Sequence, residues 1–434
     1  MNMRCVLLTL IAFVAFEAIT AAEVRYEILP LTFRQPSRIN SRGQIVGTSS
    51  LSGSARACIW YRGTITDLGA FSGRSYGYGI NNAGEVVGYR EMPNDQFHAF
   101  LWSQGQLVDI APSIHYSQGN AINDHGQIVG YYDSNGTCGF LFENGIMHDF
   151  GTYTSGFDAI DINNAGKMVG YTYRIAYITA FLWQNDQWIY LSNLPGCRGS
   201  IADAINERDQ IVGNSFSASY VYHACLWENG TIRDLGTLPG GDSSWAWDIN
   251  NLGQIVGSSH ANISGRQVSR AVIWQDGQPI DLNGFLPPGS TWSLGRADGI
   301  NDNGWIIGTG NLGNRHDFLL RPVLAVSVDV RPGSESNPVN LKSNGVLPVA
   351  ILTTDDFDAT SVDPPTVRFA DAPLDHWSNQ DVDMDGLTDL LCFFRTSSLN
   401  LSESDAHAAL RGETVDGQCF EGSDAVTVKG PKSR

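Results

Sequence analysis

The sequence predicts an all-β protein, a seven-bladed β-propeller over residues 23–323 followed by a small β-sandwich over residues 324–434. Three observations predict it. A unit of about 40 residues, made of short apolar runs separated by turn residues, recurs seven times. Gly 47, Trp 11 and Tyr 15 against 17% charged residues describe a turn-rich aromatic chain, not a coiled coil or a disordered tail. After Pro322 the repeat stops, and strands of a different character surround an Asp-rich loop.

Residues 1–22 read as an export signal that is removed. Arg4 supplies a short positive start, Val6 to Phe16 an apolar run too short for a bilayer, and Thr20-Ala21-Ala22 a small-residue cleavage site. The mature chain is expected to be a soluble monomer, secreted or periplasmic. No later stretch reaches the roughly 18 apolar residues of a membrane span. With 27 Lys plus Arg against 45 Asp plus Glu, the formal net charge is −18, and no basic run occurs. Phosphate backbones need clustered cations, so nucleic acid is excluded as a partner, whereas an acidic surface attracts cations.

Six cysteines follow the signal: Cys58, Cys138, Cys197, Cys225, Cys392 and Cys419. Their spacing matches neither a small disulfide framework nor a CxxC metal pattern. Cys58 and Cys225 stand where other repeats carry Phe and read as small core residues. A bridge between Cys392 and Cys419 is left open.

The repeat is anchored by Ile-Asn at Ile39, Ile80, Ile122, Ile162, Ile205, Ile249 and Ile300, separated by 41, 42, 40, 43, 44 and 51 residues. Each Asn opens a turn of the form Asn-x-x-Gly before a second apolar run ending in Gly, as in Asn81-Asn-Ala-Gly84-Glu-Val-Val-Gly88. That step suits a short hairpin with Gly in the left-handed conformation, and Asp209, which replaces Gly in the fifth unit, tolerates it. A third run such as Ala99-Phe-Leu-Trp102 and a closing Asp-Leu-Gly segment complete four strands per unit. The residue three before the Ile is Gly or Ala in six units, which places this strand innermost, where propeller strands crowd. The seventh unit lacks its fourth strand, and Tyr26 to Leu31 is an unassigned strand at the front of the chain. This strand is expected to complete the last blade and leave no open edge.

These residues carry a likeness. His98-Ala-Phe100, with Ile-Asn-x-x-Gly-x-Ile-Val-Gly and Asp-Leu-Gly, resembles the bacterial extracellular HAF-type repeat over residues 26–322. The resemblance implies a secreted repeat protein and no established activity. Beyond Pro322, Val328-Asp-Val-Arg-Pro-Gly-Ser334 and Asn340-Leu-Lys-Ser-Asn-Gly-Val-Leu-Pro-Val-Ala-Ile-Leu352 resemble a C-terminal accessory domain found on many secreted bacterial proteins.

Within that domain, Asp381-x-Asp383-x-Asp385-Gly386-x-x-Asp389 has the residue types of a calcium loop. Alternate carboxylates present hard oxygen ligands, Gly386 permits a sharp turn, and four carboxylates without a cationic partner repel unless a cation joins them. Cys392 at the twelfth position excludes the full helix-loop-helix site. Asp381, Asp383, Asp385 and Asp389 are therefore the metal ligands expected for calcium.

Residues that break the repeat near the axis are the candidates for ligand binding: Tyr78, Asp203, Trp247 and Asp298, with Asn120, Asp158 and Arg296 beside them. Aromatics with carboxylates at a funnel mouth suit a glycan or a peptide. The repeated Asn reads as a turn cap, the repeat-position tryptophans as packing between blades, and His98, His223 and His316, at one repeat position, as structural. No nucleophile elbow, zinc pattern or phosphate loop is present, and no catalytic residue is assigned. The chain reads as an extracellular binding or scaffold module. The alternative is a hydrolase or lyase acting on polysaccharide through axial carboxylates.

Overall fold

A computed structural model describes residues 25–430, apart from 52, 70–72, 95, 134–135, 151–155 and 175–176. The expected export segment lies outside the described residues. Those residues form strands and four short 3-10 turns, with no α-helix. No helix among them is long and apolar enough to cross a membrane.

The repeat region adopts a β-propeller arrangement, and each of units one to six contributes four antiparallel strands in chain order. In the third unit these are Tyr116–Ile122, Ile128–Asp133, Thr137–Glu143 and Ile146–Asp149. Where seven blades are expected, four units stand as free four-stranded sheets and the others are joined into larger ones. Units two and three merge into one eight-stranded sheet through a single parallel pairing, Tyr116 with Phe97. The unit beginning at Ser293–Ile300 belongs to an eleven-stranded sheet that continues into the C-terminal strands.

Local chemistry explains the repeat. At each turn the first glycine has positive φ, from +73° at Gly304 to +84° at Gly84, and Asp209 takes the same conformation at +62°. The second glycine answers a different demand. A Cβ on Gly88 would lie 1.9 Å from the carbonyl oxygen of Tyr76, and one on Gly213 would lie 2.1 Å from that of Ile201. The innermost strand bulges there. Pairing skips one residue between Gly77 and Gly79, Gly119 and Ala121, Ala202 and Ala204, Ala246 and Asp248, and Ala297 and Gly299. Tyr78, Asn120, Asp203, Trp247 and Asp298 are the residues skipped, and a bulge re-aims the side chain it carries.

Hydrophobic clusters lie between neighbouring units. Val46, Ala57 and Leu68 pack with Ile80, Val86 and Phe100, and the last unit meets the first through Ile307 and Leu319 against Ile45, Cys58 and Trp60. Trp60, Trp227 and Trp274 are buried in these seams, as expected. His98 and His223 pair with Asp109 and Asp234 of the closing segments at 2.7 and 2.9 Å, a structural use.

The N-terminal strand Arg25–Pro30 pairs antiparallel with Phe318–Val323 of the last unit, and Leu31 N–H donates to Asp317 O at 2.9 Å. The long strand Asn314–Ala325 then runs on, and Val323–Ala325 pairs in parallel with Cys419–Glu421. Of the C-terminal strands expected to form a sandwich, Pro338–Asn340 and Thr427–Lys429 make a separate parallel pair, and the others lie on one hydrogen-bonded path, turned at the two-residue pairing of Arg368 and Phe369 with Pro373 and Ala372. Its two halves enclose one core, in which Phe369 meets Phe394 and Phe357 meets Phe420 at 5.5 and 5.4 Å. Cys392 and Cys419 are both free, so the bridge left open between them does not form.

Candidate functional site

The axis is built from the innermost strands. At one end, each repeat asparagine caps its own turn: Asn81 Oδ1 accepts N–H bonds from Ala83 and Glu85 at 3.1 and 2.9 Å. Its Nδ2 also donates to the main-chain carbonyl of the next unit's asparagine. The links run Asn40 to Asn81, Asn123, Asn163, Asn206, Asn250 and Asn301, and Asn301 returns to Asn40, all between 2.9 and 3.2 Å. A second tier joins the following residues, as in Asn82 N–H to Asp124 Oδ1 at 2.8 Å.

One residue before the repeated Ile, most units carry Gly or Ala, but the first, fourth and sixth carry Arg38, Asp161 and Asp248. Arg38 lies 3.8 Å from Asp248, and the carboxylates accept main-chain N–H bonds from Ile205 and Ile300. Burial opposes the Arg38 charge, yet Asp248, Asp161, Asp203 and Asp298 together raise its pKa. Burial pushes Asp161 up to about 6 against the pull of Arg38, and raises Asp248 likewise. These three residues were not among the sequence candidates. The signal that marks them is departure from a small-residue position one step from the one that was read.

Farther from the turns lie the candidates themselves. Burial raises Asp203 to about 8, although Arg38 and Arg296 oppose the shift, and Asn214 Nδ2 donates to its Oδ2 at 2.7 Å. Asp298 is clamped by Arg296, which also covers the Trp247 ring at 4.4 Å. Burial raises Asp298 as well, against that clamp. Trp247 Nε1 is buried and has no hydrogen-bond partner. Asp203, Trp247 and Asp298 are thus gathered around Arg296. Arg296 and Asp298 also line a cavity of about 370 Å³ with Thr309, Arg315 and Asp317, whose lining does not include Tyr78, Asp203 or Trp247.

Tyr78 belongs to a different arc. It stacks on Tyr89 at 5.9 Å, and the series continues through Tyr76, Tyr116 and Tyr131 with centroids 4.9–6.4 Å apart. This arc reaches the carboxylates through Asp158: burial and Tyr116 raise the Tyr131 phenol, and Asp158 adds a smaller push in the same direction. Asp158 accepts from Asn120 Nδ2 at 2.9 Å and is pushed by burial to about 7. The site therefore offers an aromatic wall on one arc, an arginine–tryptophan pair on another, and carboxyls that hold protons near neutrality.

The expected metal ligands divide. Asp381, Asp383 and Asp385 are exposed and bring carboxylate oxygens within 4.8 Å of one another, an all-oxygen donor set that fits calcium. Asp389 stands outside this group. It is fully buried, and its two oxygens accept N–H bonds from Thr353 and Val382, each at 2.8 Å.

No family model matches this sequence, and no curated protein matches it. Among solved structures, the β-propeller domain of the trilobed protease from Pyrococcus furiosus is similar at 10% identity and TM-score 0.45, over 67% of this chain and 93% of that one. Oligogalacturonate lyase from Vibrio parahaemolyticus is similar at 10% identity and TM-score 0.44, over 69% and 92%. A gluconolactonase from Xanthomonas campestris is similar at 12% identity and TM-score 0.32, over 69% and 98%.

Proposed function

We propose that the protein is a secreted or periplasmic module of HAF-type repeats, a seven-bladed ring whose axial mouth binds a glycan. The closed circuit of repeat asparagines supports the count of seven units. The observation that carries the binding reading is the aromatic arc of Tyr76, Tyr78, Tyr89 and Tyr116 together with Trp247 and Arg296. Ring faces take sugar C–H groups, while Asp203, Asp158 and the unpartnered Trp247 indole offer hydrogen bonds to hydroxyls. Affinity electrophoresis against soluble polysaccharides tests it. One polysaccharide should retard the protein, and Tyr78→Ala or Trp247→Ala should weaken that retardation about tenfold. Retardation by none, or equal retardation of both variants, contradicts the reading.

One observation favours a second reading, hydrolysis or elimination on polysaccharide. Asp203 holds its proton to about 8 while Arg296 clamps Asp298, and unequal environments divide acid from base. New reducing or unsaturated chain ends, absent with Asp203→Ala and Asp298→Ala, would establish it.

In the C-terminal domain, Asp381, Asp383 and Asp385 would hold calcium, with Gly386 at φ +92° turning the loop. Its charge would relieve their mutual repulsion and stiffen the segment before the strand Asp389–Arg395.

A further inference from the structure

A cavity of about 670 Å³ lies where the N-terminal strand meets the C-terminal domain, away from the axis. Its walls come from the N-terminal strand at Arg25–Glu27, from the turn over 284–288, and from C-terminal strands at Arg368, Arg411 and Phe420. Its volume falls within the range of about 300–1,000 Å³ typical of small-molecule sites. Two features define what would fit.

The first is an apolar floor. Tyr26 packs edge-on to Phe285 at 5.8 Å, and Leu286, Pro287, Val323 and Phe420 extend the surface.

The second is charge. Glu27 and Glu413 face the cavity, but both are bound to the buried guanidinium of Arg321. Glu421 is the remaining acid, set against Arg25, Arg368 and Arg411. Arg368 directs Nη1 at its own segment's carbonyls, and Arg411 meets Asp371 from an exposed position, at 2.7 Å. Three guanidiniums thus meet three carboxylates, but Glu27 and Glu413 are taken up by Arg321. Arg368 and Arg411 stand directly opposite each other on paired strands, two like charges that an anion would relieve, beside an apolar floor.

We propose that this cleft binds a small organic anion with an apolar body, an aromatic or aliphatic carboxylate or sulfonate. The body would lie on Phe285 and Leu286, and the acid group would meet the guanidiniums of Arg368 and Arg411. Because the walls belong to both the last repeat unit and the C-terminal domain, an occupied cleft would hold the two together.

The test is a fluorescence titration of the full mature chain with anilinonaphthalene sulfonate, alongside uncharged phenylnaphthylamine. The expected result is one saturable sulfonate site per chain, weakened about tenfold by Leu286→Glu and by the double change Arg368→Ala with Arg411→Ala. Both variants should keep the native melting curve; Leu286 packs partly against the core of the last unit, so Arg411→Ala, at an exposed position, decides alone if neither variant keeps it. The uncharged dye should bind about tenfold more weakly. Trp247→Ala, at the axis, should leave the titration unchanged, which separates this site from the glycan reading. Unsaturable fluorescence, equal binding of the uncharged dye, or undiminished binding by folded Leu286→Glu or, in its place, Arg411→Ala overturns the proposal.

Discussion

The side-chain amide of Asn301 donates to the main-chain carbonyl of Asn40, 2.9 Å away and 261 positions earlier in the chain. The bond is buried, and it joins the last repeat unit to the first. Asn301 Oδ1 also caps its own turn, accepting from Asn303 and Trp305 at 3.1 and 2.9 Å. Asn301→Ala removes all of these at once and leaves a buried carbonyl and N–H groups unpaired. A loss of about 2–4 kcal/mol is expected in urea unfolding, from a cost of roughly 1–3 kcal/mol per orphaned group with partial rescue by water. Asn82→Ala, which removes a part-buried bond from Ser41 N–H and an exposed one to Asp124, should cost less, about 1 kcal/mol. Equal losses would show that the ring of asparagines has no special role.

Gly257→Ala addresses the bulge. A Cβ there would lie 1.9 Å from Trp245 O, a main-chain atom that cannot swing aside. We expect a loss above about 2 kcal/mol, in the range of severe overpacking. The same change at Gly145 meets open space but sits at φ +78°, so the smaller cost there, about 1 kcal/mol, comes from backbone strain. Unfolding curves that rank the two the other way would contradict the bulge account.

For pH, Asp203 decides the sign. Its folded pKa of about 8 lies above the ordinary carboxyl value, so the folded chain keeps a proton that the unfolded chain releases. Stability from this group is therefore full below about pH 4 and falls as pH climbs toward 8, after which the penalty is constant. Asp203→Asn removes that dependence. Its melting temperature relative to wild type should rise across this window and then level off. A difference that does not vary with pH would refute the assignment.

Arg321 ties the ends of the chain. It binds Glu27 of the first strand and Glu413 of the C-terminal domain, and its Nη1 reaches Gly417 O at 3.4 Å. Arg321→Met should cost about 2 kcal/mol, less than the 3–5 kcal/mol of a fully buried pair because the Glu27 side chain is 42% exposed. Cleavage by thermolysin between the two domains, at the apolar stretch Val323–Ala325, should accelerate. Unchanged proteolysis would show that the docking rests on the strand pairing alone.

Much of this fold is legible as text because a repeat samples one local solution seven times. The left-handed glycines, the N-terminal closing strand and the capping asparagines all follow from residue types at fixed spacing. What spacing cannot carry is contact between units. The bond from Asn81 to Asn123 depends on how two turns stack, and the merging of two units rests on one pairing, Tyr116 with Phe97. The axial candidates were found by searching for departures, yet Arg38, Asp161 and Asp248 escaped because the search stopped one residue short of them. In the acidic loop, composition alone treats four aspartates alike. Burial separates Asp389, whose oxygens cap Thr353 and Val382, from the exposed three.

Removing the segment from residue 23 through Leu31 tests the closure most directly. Tyr26 and Leu31 are 5% exposed, and stripping them from the seam should lower the melting temperature by about 5 °C or more, partly restored by adding the missing segment as a free peptide. A truncated chain that melts with the intact one would mean the ring does not depend on this strand, and the account of the axis would fall with it.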